Sequence, residues 1–258
     1  MRFSSLGSGS DGNSLLIAST SGATSTHVML DCGFAIKEVE RRLLRIGLDA
    51  RQLSGIIVTH EHSDHIGGVF KLARRYGVPV WLTHGTFEAA ARDEMAGVDI
   101  RLCRDGETFA IGDLALTPYT VPHDAREPVQ YLASDGKRKL GILTDVGQST
   151  PHVMNALSAC DALLLEFNHD SEMLNRSAYP SWLKLRIAGP LGHLSNAASA
   201  ELLAALDNSR LRTLVAAHLS QKNNTPQLAR QAIDSVIGAQ AIDIVIAAQD
   251  EGFGWIDC

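Results

Sequence analysis

With 258 residues and 45% hydrophobic content, the chain has room for one large domain or two small ones, and enough apolar side chains for a sizeable core. Its net charge of −6 excludes a surface coated in positive charge for nucleic acid, though not a local basic groove. Four cysteines, Cys32, Cys103, Cys160 and Cys258, stand far apart without a C-x-x-C pair; they read as reduced cytosolic thiols, not as a disulfide framework or a zinc ribbon.

In chain order, residues 1–31 predict two or three short strands broken by the glycine- and serine-rich stretch 7–14. The amides of that stretch can face a phosphate, and an ordinary hairpin loop is the equal alternative. A strand over 27–33 ends in Asp31 and Gly33, and 35–46 predicts an amphipathic helix with Arg41, Arg42 and Arg45 on or near one side. The β-branched run 55–58 predicts a buried strand, and residues from 66 onward open a helix. A strand at 78–83 and a helix near 85–92 follow. Residues 100–121 predict several antiparallel strands, with turns at Asp105-Gly106 and Gly112-Asp113.

The next predicted element is a hairpin of 128–133 and 139–143 around Asp135-Gly136. Asp145 and Gly147 then repeat the acid-and-glycine strand end seen at Asp31. The second half alternates helix and strand: helix near 150–158, strand 162–166, helix near 180–188, and a helix over 197–206 capped by Ser195. Strand 211–216, helix 226–237 and a closing strand 242–247 complete the chain. Mixed strands followed by helices in both halves predict an α/β (α+β) architecture, with two sheets face to face and helices outside, in one domain spanning 1–258.

The chemistry is concentrated between strand and helix at 59–65, where three imidazoles and two carboxylates crowd into one loop: His60, Glu61, His62, Asp64 and His65. Mixed imidazole and carboxylate donors suit zinc, manganese or iron and are poor for calcium. A lone histidine there would read as a helix cap, but the spacing H-x-H-x-D-H favours metal. His27, His84 and His152 have no such context and read as structural or surface residues.

His60-Glu61-His62-Ser63-Asp64-His65, with His123, Asp145 and His218 downstream, resembles the metallo-β-lactamase superfamily. All five of its motifs fall in order along essentially the whole chain, counting Asp31 as the first. The resemblance implies the four-layer αβ/βα sandwich of that fold and two divalent metal ions, Zn2+ or Mn2+ with Fe as a further candidate. It implies that His60, His62 and His123 hold one ion, that Asp64, His65 and His218 hold the second, and that Asp145 bridges them. Such ions stand about 3.5–4 Å apart in two-metal hydrolytic sites. Asp31 would orient a ligand histidine through its other ring nitrogen. None of the cysteines falls at a ligand position, so antibiotic hydrolysis is not expected.

Leu165-Glu166-Phe167-Asn168-His169-Asp170, Gly192-His193-Leu194-Ser195-Asn196 and Ala217-His218-Leu219-Ser220-Gln221-Lys222 resemble the YycJ/WalJ family of bacterial 5′ exonucleases acting on DNA. The G-H-S-like turn and the H-x-S strand end are also similar, more distantly, to tRNase Z. By that likeness His193 would protonate the leaving oxygen or stabilise the transition state, with Glu166 as its orienting partner. No β-CASP-sized insertion separates Asp145 from His218, and no glycine-rich arm of the kind that grips transfer RNA is present.

The expected function is therefore a dinuclear-metal phosphodiesterase, a DNA 5′-to-3′ exonuclease using a metal-bridging hydroxide. The alternative is a small-molecule metallohydrolase acting on a cyclic phosphodiester, a thioester or a lactone. The complete ligand set argues against a sandwich that has lost catalysis. The expected catalytic residues are Asp64, Asp145, His193 and His169, the last two as groups titrating near neutrality. Asn13 and Asn168 are expected to donate hydrogen bonds to phosphate. Lys184, Arg186 and Lys222 are the foremost candidate contacts for a polyanion, ahead of Arg41, Arg42, Arg45, Arg74, Arg75, Lys137, Arg138 and Lys139, although the acidic overall charge favours reading each cluster as a solvated face. Tyr179 and Trp182 can stack a terminal base, although packing of their helix into the core is the favoured reading. With no apolar run of signal-peptide length and none near the roughly 18 residues of a membrane span, a cytoplasmic protein is expected.

Overall fold

The computed structural model describes residues 1–238 and 241–258. Its strands in chain order are β1 (Arg2–Gly7), β2 (Ser14–Ser21), β3 (Thr24–Leu30), β4 (Gly55–Ile57), β5 (Val80–Leu82), β6 (Ile100–Leu102) and β7 (Phe109–Ile111). They continue with β8 (Leu114–Thr120), β9 (Val129–Ser134), β10 (Lys139–Leu143), β11 (Ala162–Glu166), β12 (Thr213–Ala217), β13 (Asp243–Ile246) and β14 (Phe253–Asp257). The helices are α1 (Ile36–Arg45), α2 (Ser63–Ile66), α3 (Val69–Tyr76), α4 (His84–Ala89), α5 (Arg92–Met95), α6 (Pro151–Leu157), α7 (Ser171–Arg176), α8 (Ser181–Ile187), α9 (Asn196–Ala205) and α10 (Pro226–Ile237).

Two sheets of seven strands result, in the orders β14-β1-β2-β3-β4-β5-β6 and β13-β12-β11-β10-β9-β8-β7. Adjacent side chains on a strand point to opposite faces, and each sheet is covered on both, so its strands read as unbroken apolar runs. Ile17, Val28, Leu164 and Val215 meet in the layer between the sheets. Their chain neighbours Leu16 and Met29 face α1 and α3, beside Val39, Leu43, Val69 and Leu72. Leu163 and Leu214 face α6, α9 and α10, beside Leu157, Leu203 and Ile233. Fully burying a side chain such as Ile17 contributes about 1.5–3 kcal/mol. The expected four layers are therefore present.

β3 and β4 run parallel in one sheet, and β10, β11 and β12 run parallel in the other. Parallel neighbours end at the same sheet edge, so the polar residues that follow them are gathered together. The loops there are stitched by backbone bonds: Asn13 N–H donates to Asp64 O at 2.8 Å, Cys32 N–H to His65 O at 2.7 Å, and Gly68 N–H to Cys32 O at 2.7 Å. A Cβ on Gly33 would lie 1.8 Å from Asp64 O, so only glycine admits this approach.

Four sequence expectations need correction. β6 does not join the antiparallel meander; it pairs in parallel with β5, at the edge of the first sheet. The helix after the histidine loop is split into α2 and α3 at Gly67-Gly68, where a Cβ on Gly68 would strike Phe34 O. The closing strand is not β13 but β14, which returns to pair with β1 in the first sheet. Finally, α8 buries none of its residues, so its apolar side chains do not enter the core. No helix among the described residues is long and apolar enough to cross a membrane.

Candidate metal and catalytic site

The site sits where the two sheets present their parallel strand ends. Asp31 follows β3, Asp145 follows β10 and His218 follows β12, and all three have left-handed backbones with φ of 58°, 51° and 56°. That region disfavours side chains, although Asp, Asn and His are enriched in it. Each such residue costs about 1–3 kcal/mol and persists only when its surroundings fix it. The fixing bonds are present: Asp31 N–H donates to Ile57 O, Asp145 N–H to Glu166 Oε1 at 3.0 Å, and His218 N–H to Ser8 Oγ at 2.9 Å.

Five histidines are each held by one ring nitrogen and aim the other inward. His123 Nδ1 lies 3.3 Å from Gly192 O, and His62 Nε2 lies 3.2 Å from Asp124 O. A carbonyl can only accept, so each of these nitrogens carries the proton. The other nitrogens, His123 Nε2 and His62 Nδ1, then face each other as lone pairs at 3.3 Å. Thr59 donates its hydroxyl proton to Asp31 Oδ2 at 2.7 Å, which leaves its oxygen to accept from His60 Nδ1 at 2.9 Å. His60 Nε2 is buried without a partner. His65 Nδ1 is held by Asp31 Oδ2 at 2.8 Å and His218 Nδ1 by Glu166 Oε1 at 2.9 Å.

Lone pairs facing one another in a buried space are costly unless a cation lies between them. His60, His62 and His123 offer three such atoms within 4.8 Å of one another; Asp64, His65 and His218 offer a second group within the same limit. Asp145 belongs to one cluster with His60 and His65 and to another with His193 and His218. Its Oδ2 makes no directed hydrogen bond, although His65 Nε2 is 3.2 Å away. The donor set fits divalent metal, and the tethering of each outer nitrogen by carbonyl, hydroxyl or carboxylate is the arrangement that fixes tautomer and ring orientation in metal sites.

Glu166, at the end of β11, is completely buried. Besides the Asp145 amide it receives the Leu194 amide at 2.9 Å, His193 Nδ1 at 3.0 Å and His218 Nδ1. Burial opposes its charge, but His193 and His218 outweigh that and hold the carboxyl down at about 2. With its oxygens taken, Glu166 orients others. The same contact holds the His193 imidazolium up at about 9, against the opposing pull of burial. Its Nδ1 bound to Glu166, His193 leaves Nε2 for the cavity. That cavity measures about 290 Å3 and is lined by His62, Asp64, His123, Asp145, His193 and His218, with α8 along one side.

Several expected site residues stand elsewhere. His169 is buried outside the cavity lining; its backbone carbonyl takes the Asn196 amide, and its ring Nδ1 has no hydrogen-bond partner. Asn168 spends its amide on His218 O at 3.0 Å, bracing a strand end where phosphate contact was expected. Asn13 likewise turns inward, 3.2 Å from Asp64 Oδ2 and 3.0 Å from His65 Nε2. Lys184 donates to Asn175 O, and the Lys222 ammonium lies 5.7 Å over the Tyr179 ring; neither lines the cavity. Arg186 does, paired with Asp124 at 2.7 Å. Arg42, expected at the surface, is buried with its guanidinium on Leu6 O and Asp250 O. His27, His84 and His152 lie outside the lining.

Two residues were not singled out from the sequence. Thr59 joins Asp31 to His60 through one hydroxyl, and only its place before the histidine loop marks it. Asp124 lies 3.5 Å from His123 Nε2 and anchors Arg186; its signal was the Pro122-His123-Asp124 run. Asp31→Asn preserves the left-handed backbone and the shape but removes the charge behind His65. It is expected to weaken metal affinity about 10–100-fold, measured by competition with a chromogenic chelator. Unchanged affinity would mean that Asp31 does not tune that ligand.

The family model described as Beta-lactamase superfamily domain matches residues 26–219. Exodeoxyribonuclease YycJ of Bacillus anthracis is 33% identical, over 98% of this chain and 91% of that protein. Exodeoxyribonuclease WalJ of Streptococcus pneumoniae serotype 2 is 34% identical, over 88% of this chain and 85% of that protein. The crystal structure of YhfI, a metallo-beta-lactamase fold protein from Bacillus subtilis, superposes with a TM-score of 0.72 at 14% identity and covers 99% of each chain, a likeness of fold. Fold, motif order and full-length similarity agree, and the chain belongs to the beta-lactamase superfamily, within the family of YycJ and WalJ.

Proposed function

We propose that this protein is a phosphodiesterase that uses two divalent metal ions to remove nucleotides from the 5′ end of DNA. The observation that carries the reading is the convergence of five tethered imidazoles and the Asp64 and Asp145 carboxylates on one cavity, beside His193 held by Glu166. Full-length similarity to two named exodeoxyribonucleases supports DNA as the substrate.

In this reading His60, His62 and His123 would hold one ion and Asp64, His65 and His218 the other, with Asp145 as a shared ligand. Zinc or manganese suits these donors, and iron is compatible with them. Divalent ions held there would supply an acidified water as nucleophile and positive charge against the phosphoryl oxygens. The protein's own groups do the rest. Asp31 and Glu166 keep His65 and His218 turned inward, Arg186 offers a guanidinium fork to phosphate, and His193 gives its Nε2 proton to the departing oxygen. Asn13 steadies Asp64 through its amide, and Asn168 fixes the backbone at His218. A cavity of about 290 Å3 is of a size to take one terminal nucleotide, which fits trimming from an end. We read all 258 residues as one domain, and we place it in the cytoplasm on its four free thiols, three of them buried.

Manganese- or zinc-loaded protein, given DNA labelled at either end, tests the reading. Early release of the 5′ label as mononucleotide, with the 3′ label retained on steadily shorter products, is expected. Release of the 3′ label first would reverse the polarity. Intact DNA alongside hydrolysis of a cyclic phosphodiester or thioester would move the protein to the small-molecule reading.

A further inference from the structure

Trp182 and Leu185 on α8, and Leu191 just beyond it, are 64%, 75% and 50% exposed. Among the described residues only Leu44 and Leu102 are other large apolar side chains with comparable exposure. Three of these five exposed apolar side chains thus fall within ten residues, on the segment that forms one wall of the metal-donor cavity. Leu183, Arg186 and Ile187 face that cavity, so α8 stands at its mouth with one side in and one side out.

Trp182 and Arg186 are four residues apart on a helix and lie side by side on its flank. An indole next to a guanidinium matches the two halves of a nucleotide: the ring offers a face for a base, and the fork offers donors to a phosphate. α8 carries Lys184 and Arg186 and no acidic residue, although the chain as a whole is acidic. Arg186 is held by Asp124 in a pair whose side chains are 58% and 29% exposed, a setting in which a phosphate readily takes the carboxylate's place. Continuity with the donor cavity and local charge select a nucleic-acid strand as the occupant of this face, in preference to a second copy of the chain.

Resting on the phosphodiesterase reading, we infer that the nucleotide at the cavity mouth binds on α8, its base stacked on Trp182 and its phosphate on Arg186. A base in that position has left its neighbours in the duplex. The enzyme therefore acts on single-stranded or frayed ends in preference to blunt ones.

The test compares metal-loaded wild type, Trp182→Ala and Trp182→Phe on a single-stranded oligonucleotide, a blunt duplex and bis(p-nitrophenyl) phosphate. For Trp182→Ala, the ratio of kcat/KM on the oligonucleotide to that on the small diester is expected to fall about 10–100-fold, mostly through KM, with Phe restoring most of it. In wild type, a phosphorothioate oligonucleotide should quench tryptophan emission, and Trp182→Phe should lose that quench while still binding. An unchanged ratio with DNA still cleaved overturns this inference and leaves the phosphodiesterase reading standing. So does a wild-type dimer that Trp182→Ala converts to monomer at unaltered ratio, since a second copy would then own the patch. Failure to cleave any DNA while the small diester turns over overturns both.

Discussion

Replacing Asp145 with asparagine should lower kcat/KM on DNA by about 10^3-fold or more, which corresponds to about 4 kcal/mol of transition-state stabilisation. Asparagine retains the shape of the side chain and tolerates the left-handed backbone found at this position, where φ is 51°. The substitution therefore tests charge and ligation, not folding. Asp145 takes part in two donor clusters, one with His60 and His65 and one with His193 and His218, so its loss is expected to affect both proposed metal positions at once. Metal content, measured by inductively coupled plasma mass spectrometry after dialysis, should fall below two ions per chain. Full occupancy with full activity would remove Asp145 from the bridging role.

His193→Ala carries the second large effect. The imidazolium is held by Glu166 at 3.0 Å and held up at about 9, so a proton is available at neutral pH on the nitrogen that faces the cavity. Loss of a positioned general acid typically costs about 10^2–10^4-fold in rate. The loss should appear in kcat on DNA, whose departing sugar oxygen needs a proton. It should shrink sharply on a p-nitrophenyl diester, whose leaving group departs without one. Equal losses on both substrates would point to a structural or binding role for His193.

Much of this site was legible because its chemistry is dense in sequence. His60, His62, Asp64 and His65 fall within six residues between a β-branched run and a helix, and His123, Asp145 and His218 follow in motif order. Asp31 and Asp145 were marked by the same acid-then-glycine pattern at the end of an apolar strand. What stayed hidden depends on which way a side chain turns. Asn13 and Asn168 look like phosphate donors until the fold supplies Asp64 and the His218 carbonyl as nearer partners. His169 shares a polar run with Glu166, yet only Glu166 reaches the site's histidines.

The same limit governed two elements of the fold. Trp182, Leu183, Leu185 and Ile187 have the composition of a core helix, and only the tertiary structure shows that no sheet covers them. β14, preceded by Gly252 and carrying Gly254, has little strand signal of its own and is fixed by its pairing with β1. Where the next partner is far away in the chain, local pattern does not name it.

The positive φ at Asp31, Asp145 and His218 also sets the terms on which this scaffold could be re-engineered for another metal or reaction. Those three positions accept a narrow alphabet, because most side chains, and β-branched ones above all, are penalised there whatever donor atom they bring. His62 has an ordinary extended backbone, with φ of −63°, and Asp64 lies in the short helix α2. New donor chemistry is accordingly cheapest to introduce at 62 and 64, with the three left-handed strand ends kept as the fixed frame.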